Sequence, residues 1–529
     1  MGQADRTFAL LNRLTKNQES IERRLAPGRV AIVIGADAGS RPQGQLLSSF
    51  AVNLLARLYP VIQDLEVVVP RGVPLQIRPP RWAAESLDAH LRRFLQALDP
   101  PLKWSIREDS TCDRNWTLTV GAPPSLPPES VFIGGHGWEV RFSPNEPVSI
   151  GVEYNPVGAY AAACFGVAEL CKRLLYPHRD LIHGVAVKPS EGAITFSTFT
   201  YRIGSSEPNP PLPPVIDLNR LTMVGLGAGG GATAFTLASL PELRGAFTLI
   251  DPDTIVDHNL NRNVFADVDD ASESVLKVGA IEGLLNRFPS LIVKSIPTAF
   301  VQATAALGPE DYRYVVAAIH SREARRQVQY ETPKVLWDAA AAEDGEFRIW
   351  RMILGQTECM FCKHPPGVHD PEVKKSEQVA QLLGLLPEVC LRKLRDNEVF
   401  TAEEVTAIVS RFGGNVQPFD LPAAGQRYGD WEASQCGRLP LSDDDEEIPI
   451  PFAPVMAGVL IAGEIIKEHH FPNAVLDSCY WNSLLGQFMP HNRAFRKSPR
   501  SGCSFCADQD YLAQYNRRWR GTAHTVKAR

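Results

Sequence analysis

Four of the ten cysteines fall as two C-x-x-C pairs, Cys359/Cys362 and Cys503/Cys506. Four thiolates meeting on one ion make a closed tetrahedral Zn2+ site with no coordination position left for a substrate, so the expected role is structural. A redox dithiol would sit between a strand and a helix, and neither pair does. A second group of reactive positions begins where the apolar run at Leu221 enters Gly225-Leu226-Gly227-Ala228-Gly229-Gly230 and then an Ala/Phe/Leu-rich stretch. That order predicts strand, turn and helix. Glycines permit the tight bend and close backbone approach, and the helix N-terminus presents free amides to phosphate oxygens. The next apolar run ends in Asp251-Pro252-Asp253, with Asp251 21 residues beyond Gly230, about where a dinucleotide-binding unit keeps the acid that holds a ribose. Asn259, Arg262 and Lys277, the last at the head of a predicted helix, add polar and cationic groups nearby. Hydride transfer needs few such cations, whereas splitting a triphosphate under attack by a carboxylate needs several.

These positions need a scaffold, and 529 residues is too long for one core, so two to four domains are expected. The balance of 54 Lys and Arg against 60 Asp and Glu gives a formal charge of −6. It shows no basic excess to track nucleic acid. No apolar run reaches the length of a membrane span, and the N-terminus lacks the features of a secretory signal. Dilute, partly paired cysteines agree with a reducing, cytoplasmic setting.

The proline-dense GSSEPNPPLPP reads as a linker over 203–216, separating a domain at 1–202 from one at 217–529. Both sides show the same order of pieces. RVAIVIGADAGS matches LTMVGLGAGGGA, and the small-residue helices predicted at Asn155–Leu175 and Ala453–His470 match each other, which predicts a diverged duplication. Alignment of the turns sets Gly35 on Gly225, Asp37 on Gly227 and Ser40 on Gly230. A carboxylate at Asp37 would repel a polyphosphate, so the first copy is expected to bind no nucleotide. The predicted fold is therefore α/β: two Rossmann-like domains, the first degenerate, with a helical insertion in the second and a four-cysteine zinc site.

GxGxxG, then DxDxV, then NLNR followed by a lysine resembles the E1 superfamily of ubiquitin-like protein activating enzymes. That superfamily includes the sulfur-carrier adenylyltransferases of thiamine and molybdopterin biosynthesis. NLNR is the most specific of these motifs, and the likeness covers roughly 217–510. It implies ATP as substrate, Asp251 on the ribose within the acidic motif that also holds Asp253, Asn259 and Arg262 on the phosphates, and Lys277 on the triphosphate. Asn263 stands where the family has Gln. The family also ends a strand in an Asp beside Mg2+. Here Tyr314–Ile319 is the strand, His320 takes the Asp position and Arg325 fits the following helix arginine, which leaves Asp338 or the nucleotide phosphates to hold Mg2+, or else implies impaired adenylation. The transfer cysteine of such enzymes lies between a helical insertion and the last small-residue helix, a segment at about 370–450 that contains Cys436. By local sequence alone Cys436 is an ordinary loop cysteine; after the upstream site it is the expected thioester nucleophile.

The resemblance thus implies an enzyme that adenylates the C-terminus of a ubiquitin-like protein, carries it on Cys436 and passes it to an E2-like conjugating enzyme, as in bacterial conjugation operons, some linked to anti-phage defence. It also implies an arginine from the partner half at the triphosphate, with Arg6, Arg13, Arg23 and Arg24 as candidates. The alternatives are a sulfur-carrier adenylyltransferase, a nicotinamide-dependent oxidoreductase using Gly225–Gly230 and Asp251, and a non-catalytic scaffold motivated by His320.

Overall fold

The structure is a computed structural model. It describes residues 7, 10–11, 14–15, 28–108, 115–123, 125–127, 129–183, 185–204, 208–342, 344–365, 377, 379–396, 398–412, 421–429, 431, 449–488 and 494–520.

The first half builds a seven-stranded sheet from β1 (Arg29–Ile34), β2 (Asp64–Val68), β3 (Lys103–Arg107), β4 (Trp116–Val120), β5 (Ser130–His136), β6 (Glu139–Ser143) and β7 (Ile194–Ser197). The second builds an eight-stranded sheet from β8 (Ile216–Val224), β9 (Leu243–Ile250), β10 (Leu291–Ile296), β11 (Tyr314–Ala317), β12 (Val335–Ala341), β13 (Glu346–Met352), β14 (Cys479–Ser483) and β15 (Ala494–Phe495). The spatial orders are β3-β2-β1-β4-β5-β6-β7 and β10-β9-β8-β11-β12-β13-β14-β15. In each sheet the first five strands are parallel and the rest antiparallel. Counted from its own first strand, each half therefore follows one path, 3-2-1-4-5-6-7, with one strand added in the second. The two sheets share order and polarity over seven strands, and the fold is α/β with two Rossmann-like sheets.

The principal helices are α1 (Pro42–Leu55), α2 (Leu87–Leu98), α3 (Pro156–Leu175), α4 (Ala228–Ala238), α5 (Lys277–Leu285), α6 (Arg322–Tyr330), α7 (Pro387–Arg395), α8 (Ala402–Phe412), α9 (Phe452–His470) and α10 (Gln509–Trp519). The two small-residue helices of the sequence are α3 and α9. Asn155 caps α3 by accepting the Val157 amide at 2.9 Å, and Pro156 fills the first turn, where a missing N–H costs nothing. Their small residues allow close approach to neighbours. A Cβ on Gly458 would collide with the Gly229 carbonyl of α4, and one on Gly158 with the Gly137 carbonyl.

One apolar core runs through both halves. Phe50 of α1 stacks on Tyr160 of α3 at 4.0 Å, and both approach Phe235 of α4 at 6.0 Å. Tyr160 and Tyr154 each place a hydroxyl against Ser239, just past α4. The linker is held to the first half, since Trp138 donates from Nε1 to the Pro210 carbonyl at 3.0 Å. Helices α7 and α8 belong to an insertion with a small core of its own, where Phe400 stacks on Tyr428 at 3.6 Å and meets Trp431 edge-on. No helix among the described residues is long and apolar enough to cross a membrane.

Candidate functional site

Register sets the site. Val224 of β8 pairs with Ile250 of β9 and with Ala317 of β11, while Ile250 pairs with Ile296 of β10. Gly225, Asp251, Pro297 and Ala318 thus leave the sheet side by side. The order reverses between β8 and β11, so this edge is the topological switch point at which such sheets bind ligands.

Gly225 has φ +90, and a Cβ there would lie 2.5 Å from the Ala318 carbonyl oxygen. The position requires glycine on both counts. A Cβ on Gly230 would overlap the Gly225 carbonyl, so this glycine serves the packing of turn against helix. Gly227 differs: it is the N-cap of α4, its φ is −70, and nothing lies within 4 Å of the place its Cβ would take. The space in front of Gly227 adjoins the N-terminus of α4, where unpaired amides favour an anion.

Asp251 is buried, and its carboxylate shapes the turn by accepting the Leu226 amide at 2.5 Å and the Asp253 amide at 2.9 Å. Asp253 is the more open of the two acids and receives Lys277 Nζ at 2.6 Å. Lys277 heads α5 as predicted. Burial raises the Asp251 carboxyl above its ordinary range, against the pull of Lys277 and with Asp253 adding to the rise. Burial also pushes Asp253 upward, but the Lys277 ammonium outweighs it and holds that carboxyl low. Burial would lower Lys277, yet Asp253 and Asp251 keep it above the ordinary lysine value. Lys277 is therefore a fixed cation at the switch point, as charge development on a phosphate requires.

Asn259 closes a short 3-10 turn over Asp257–Asn259, and its Oδ1 accepts the Val256 amide at 3.2 Å. Arg262 follows in the same turn, with its amide on the Asn259 carbonyl at 3.1 Å. His320 is exposed at the end of the β11 segment, and Ser321 caps α6 by accepting the Ala324 amide. Asp338, the alternative Mg2+ contact in the sequence reading, is fully buried and pairs with Lys363 and with Arg325 at 3.4 Å. Both its oxygens face cations of the protein, which corrects that expectation. Neither His320 nor Asp338 fits Mg2+, which prefers oxygen ligands open to it. Arg325 holds the turn instead, donating from Nε to the Ile319 carbonyl at 2.5 Å.

A cavity of about 530 Å³ opens beyond Asp251, between Pro252 and Pro297–Ala299 on one side and Lys393, Glu398, Val399 and Arg427 of the insertion on the other. Arg427 ties the two sides by donating to the Pro252 carbonyl at 2.8 Å.

Cys359, Cys362, Cys503 and Cys506 converge, with all four Sγ atoms within 4.8 Å of one another. Three of the separations are 3.7 Å (Cys359–Cys362), 3.7 Å (Cys359–Cys503) and 3.4 Å (Cys362–Cys506). A regular tetrahedron with Zn–S of about 2.3 Å has edges of about 3.8 Å, so the thiols fit that ion without rearrangement. The Arg500 amide donates to Cys362 Sγ at 3.2 Å, as to a thiolate. Phe361 and Phe505 stack beside the cluster at 4.7 Å. Helix α10 then covers the turn before β12, with Tyr515, Arg518 and Trp519 on the carbonyls of Lys334, Glu331 and Thr332.

Other expected residues are placed differently. Cys436 and the acidic run after it lie outside the described residues, as do Arg6, Arg13, Arg23 and Arg24. Cys164, Cys171, Cys390 and Cys479 are buried. In the first half, Asp37 turns its carboxylate to the backbone. Its Oδ1 accepts the Ala122 amide at 2.8 Å and Oδ2 the Ile150 amide at 3.4 Å, so a carboxylate fills the turn where Gly227 leaves space. Sequence reasoning missed Asn53, Arg57, Arg81 and Trp82, which reach from the first half to the segment around Arg262. Their partners lie about 200 positions away, and no local pattern marks them.

Two family models match separate parts of the chain. Residues 216–470 match the model of the ThiF family, and residues 34–176 match that of prokaryotic E2 family C. The two described cysteines within the second match, Cys164 and Cys171, are both buried in α3, where burial pushes the Cys171 thiol up to about 12. An uncharacterized protein of Sinorhizobium fredii (strain NBRC 101917 / NGR234), y4jF, is 27% identical over 505 residues, covering 93% of this chain and 91% of its own. Among solved structures, Escherichia coli MccB is 13% identical with a TM-score of 0.33, over 55% of this chain and 66% of its own. MccB in complex with N-formylated MccA is 16% identical with a TM-score of 0.31, over 54% and 67%.

Proposed function

We propose, taking as premise that residues 216–470 form a ThiF-family, adenylation-type domain, that this chain activates the C-terminal carboxylate of a ubiquitin-like protein with ATP. The observation that carries the reading is Lys277: a buried cation held between Asp253 and Asp251, where the glycine turn and the N-terminus of α4 meet at the switch point. The helix N-terminus and Lys277 would neutralise the phosphates, Asn259 and Arg262 would orient them, and the cavity walled by Pro252 and Pro297 would take the base. The carboxylate oxygen of the carrier attacks the α-phosphorus, the bond to the bridging oxygen breaks, and pyrophosphate leaves with that electron pair. The acyl-adenylate that remains is open to a thiolate, and Cys436 is the proposed acceptor: sulfur attacks the acyl carbon, AMP departs and a thioester forms. An E2-like enzyme would then receive the acyl group.

The first half, with Asp37 in its turn, binds no nucleotide in this reading and serves the second. Zn2+ would be held by Cys359, Cys362, Cys503 and Cys506, where it crosslinks distant parts of the chain and takes no part in the chemistry. Membership of a conjugation operon, and any link to anti-phage defence, is supported by the family resemblance.

ATP–pyrophosphate exchange with candidate carrier proteins tests the reading. Wild type should exchange label only with its cognate carrier, and Lys277→Ala should lower the rate about 100-fold or more, as loss of a preorganised charge does. Exchange that is absent with every carrier, together with tight binding of NAD, would replace the proposal with an oxidoreductase. A reductant-sensitive adduct on Cys436 without transfer to an E2-like protein would favour sulfur-carrier chemistry.

A further inference from the structure

The turn that carries Asn259 and Arg262 is gripped by side chains from the other half of the molecule. Arg57, just past α1, is buried, with 3% exposure. Its guanidinium donates to the carbonyls of Leu260 and Ala266, the latter at 2.9 Å, and to Asn53 Oδ1 at 2.7 Å. Asn53 in turn donates to the Val264 carbonyl at 2.8 Å. Arg81 approaches from the other side. It donates to the Phe265 carbonyl at 2.8 Å, forks onto Asp270 and lies 3.0 Å from Asp267, while Trp82 Nε1 donates to Asp267 at 3.0 Å. Four carbonyls flanking Arg262 are thus held by side chains of the first half.

The turn's backbone amides close on its own carbonyls, Arg262 and Asn263 on Asn259 at 3.1 and 2.9 Å and Ala266 on Asn263 at 3.0 Å, but its buried side-chain amides add little. Asn263 is 1% exposed, and neither of its side-chain polar atoms has a partner; Asn261 Oδ1 is also unpartnered. Those local bonds leave the carbonyls of Leu260, Val264, Phe265 and Ala266 as the points by which the turn is gripped from the other half. Burying a guanidinium is costly, and the Arg57 cation sits at about 9, pulled down by its burial. Plain packing of one half on the other would be served better by apolar side chains.

We infer that Arg57 and Arg81 of the first half are positioning residues for the phosphate-binding turn, fixing Asn259 and Arg262 at the nucleotide. This rests on the reading of the site given above. In this account the first half, which binds no nucleotide itself, completes the site in the second through bidentate arginine contacts, which lysine cannot reproduce.

Equilibrium binding of Mg-ATP to the full chain tests it, with wild type, Arg81→Gln, Arg262→Gln and the double variant compared, and circular dichroism and Tm recorded for each. Arg81 is partly exposed, so its replacement is the gentler change. Arg81→Gln should keep the wild-type spectrum and weaken ATP binding about 10-fold. In the Arg262→Gln background it should weaken it no further, because both act through one contact. Arg81→Lys should recover only part of the loss. If Arg81→Gln does not fold, Trp82→Phe, which removes only the Nε1 donor to Asp267, takes its place in the same cycle. Unchanged affinity in a folded variant, or losses that multiply independently of Arg262, would overturn the inference while leaving the site reading intact. A wild type that binds no nucleotide would overturn the site reading, and this inference with it.

Discussion

Lys172 and Lys467 occupy matching places on α3 and α9, and each crosses into the opposite half. Lys172 pairs with Glu169 one turn earlier and donates to the Gly486 carbonyl at 3.2 Å. Lys467 pairs with Glu464 and donates to the Phe199 carbonyl at 2.9 Å. Both ammonium groups are fully buried, and burial lowers both from the ordinary lysine value. The exchange is reciprocal, each lysine reaching a carbonyl of the other half. Removing one charge of a buried pair leaves the other uncompensated, at about 3–5 kcal/mol. Glu464→Gln should therefore lower stability by about that amount in urea unfolding, more than its lost bonds to Tyr201 and Leu476 alone would explain. Replacing pair members together, as Glu464→Gln with Lys467→Met, should recover part of the loss. A Glu464→Gln change below about 1 kcal/mol would mean that the pair does not exist as described.

The glycines of the nucleotide turn separate packing from binding. Gly230→Ala places a methyl on the Gly225 carbonyl and should cost about 1–3 kcal/mol or prevent folding. Gly227→Ala meets nothing within 4 Å and has an ordinary φ, so its Tm should match wild type. Its methyl would stand where a phosphate approaches the α4 amides, and ATP affinity should fall about 10-fold or more. Equal effects of the two substitutions on Tm would contradict the geometry of the turn.

Metal analysis of the purified chain should find one zinc per molecule. Cys503→Ser should lower zinc content and Tm together, because an ion on the four thiols would join the segment after β13 to the segment before α10. Hydrogen exchange should then rise first at Gln509–Trp519, whose bonds to Glu331, Thr332 and Lys334 depend on that anchorage. Full occupancy in Cys503→Ser would refute the four-thiolate arrangement.

Acid should act through His469. Burial, with the neighbouring His470, lowers this imidazole to about 4. Its Nδ1 lies 3.0 Å from the Asn219 amide nitrogen, and its ring meets Tyr314 edge-on. A histidine that is neutral when folded and ordinary when unfolded stabilises the fold above about 6.5, and that contribution is lost as pH falls toward 4, because only the unfolded chain takes up the proton. Stability should drop between pH 6.5 and 4 in wild type and drop less steeply in His469→Gln. Parallel curves for the two proteins would remove His469 from the acid response.

Much of this was legible in the residues themselves. The glycine turn, the acid after β9 and the lysine heading α5 are local patterns, and a strand, turn and helix impose them at fixed spacing. The C-x-x-C pairs were equally plain, because thiolate spacing is a property of the chain near each pair. Asp338 misled: in sequence it is a carboxylate near the right strand, and only the three-dimensional packing shows Lys363 and Arg325 upon it. Asn53, Arg57, Arg81 and Trp82 were invisible for the same reason. Their function lies in backbone carbonyls of a distant segment, and a carbonyl carries no sequence signature.

After Gly35 the backbone makes an extra helical turn, Ala36–Gly39, before α1 begins at Pro42, whereas α4 begins at Ala228, directly after Gly225-Leu226-Gly227. Asp37 sits in that added turn and bonds across to Ala122 and Ile150. Because Asp37 lies inside the added turn, a glycine in its place would leave the turn itself, so the two halves differ here in backbone path as well as in side chain. A single substitution in the first half therefore cannot give its turn the shape of the second.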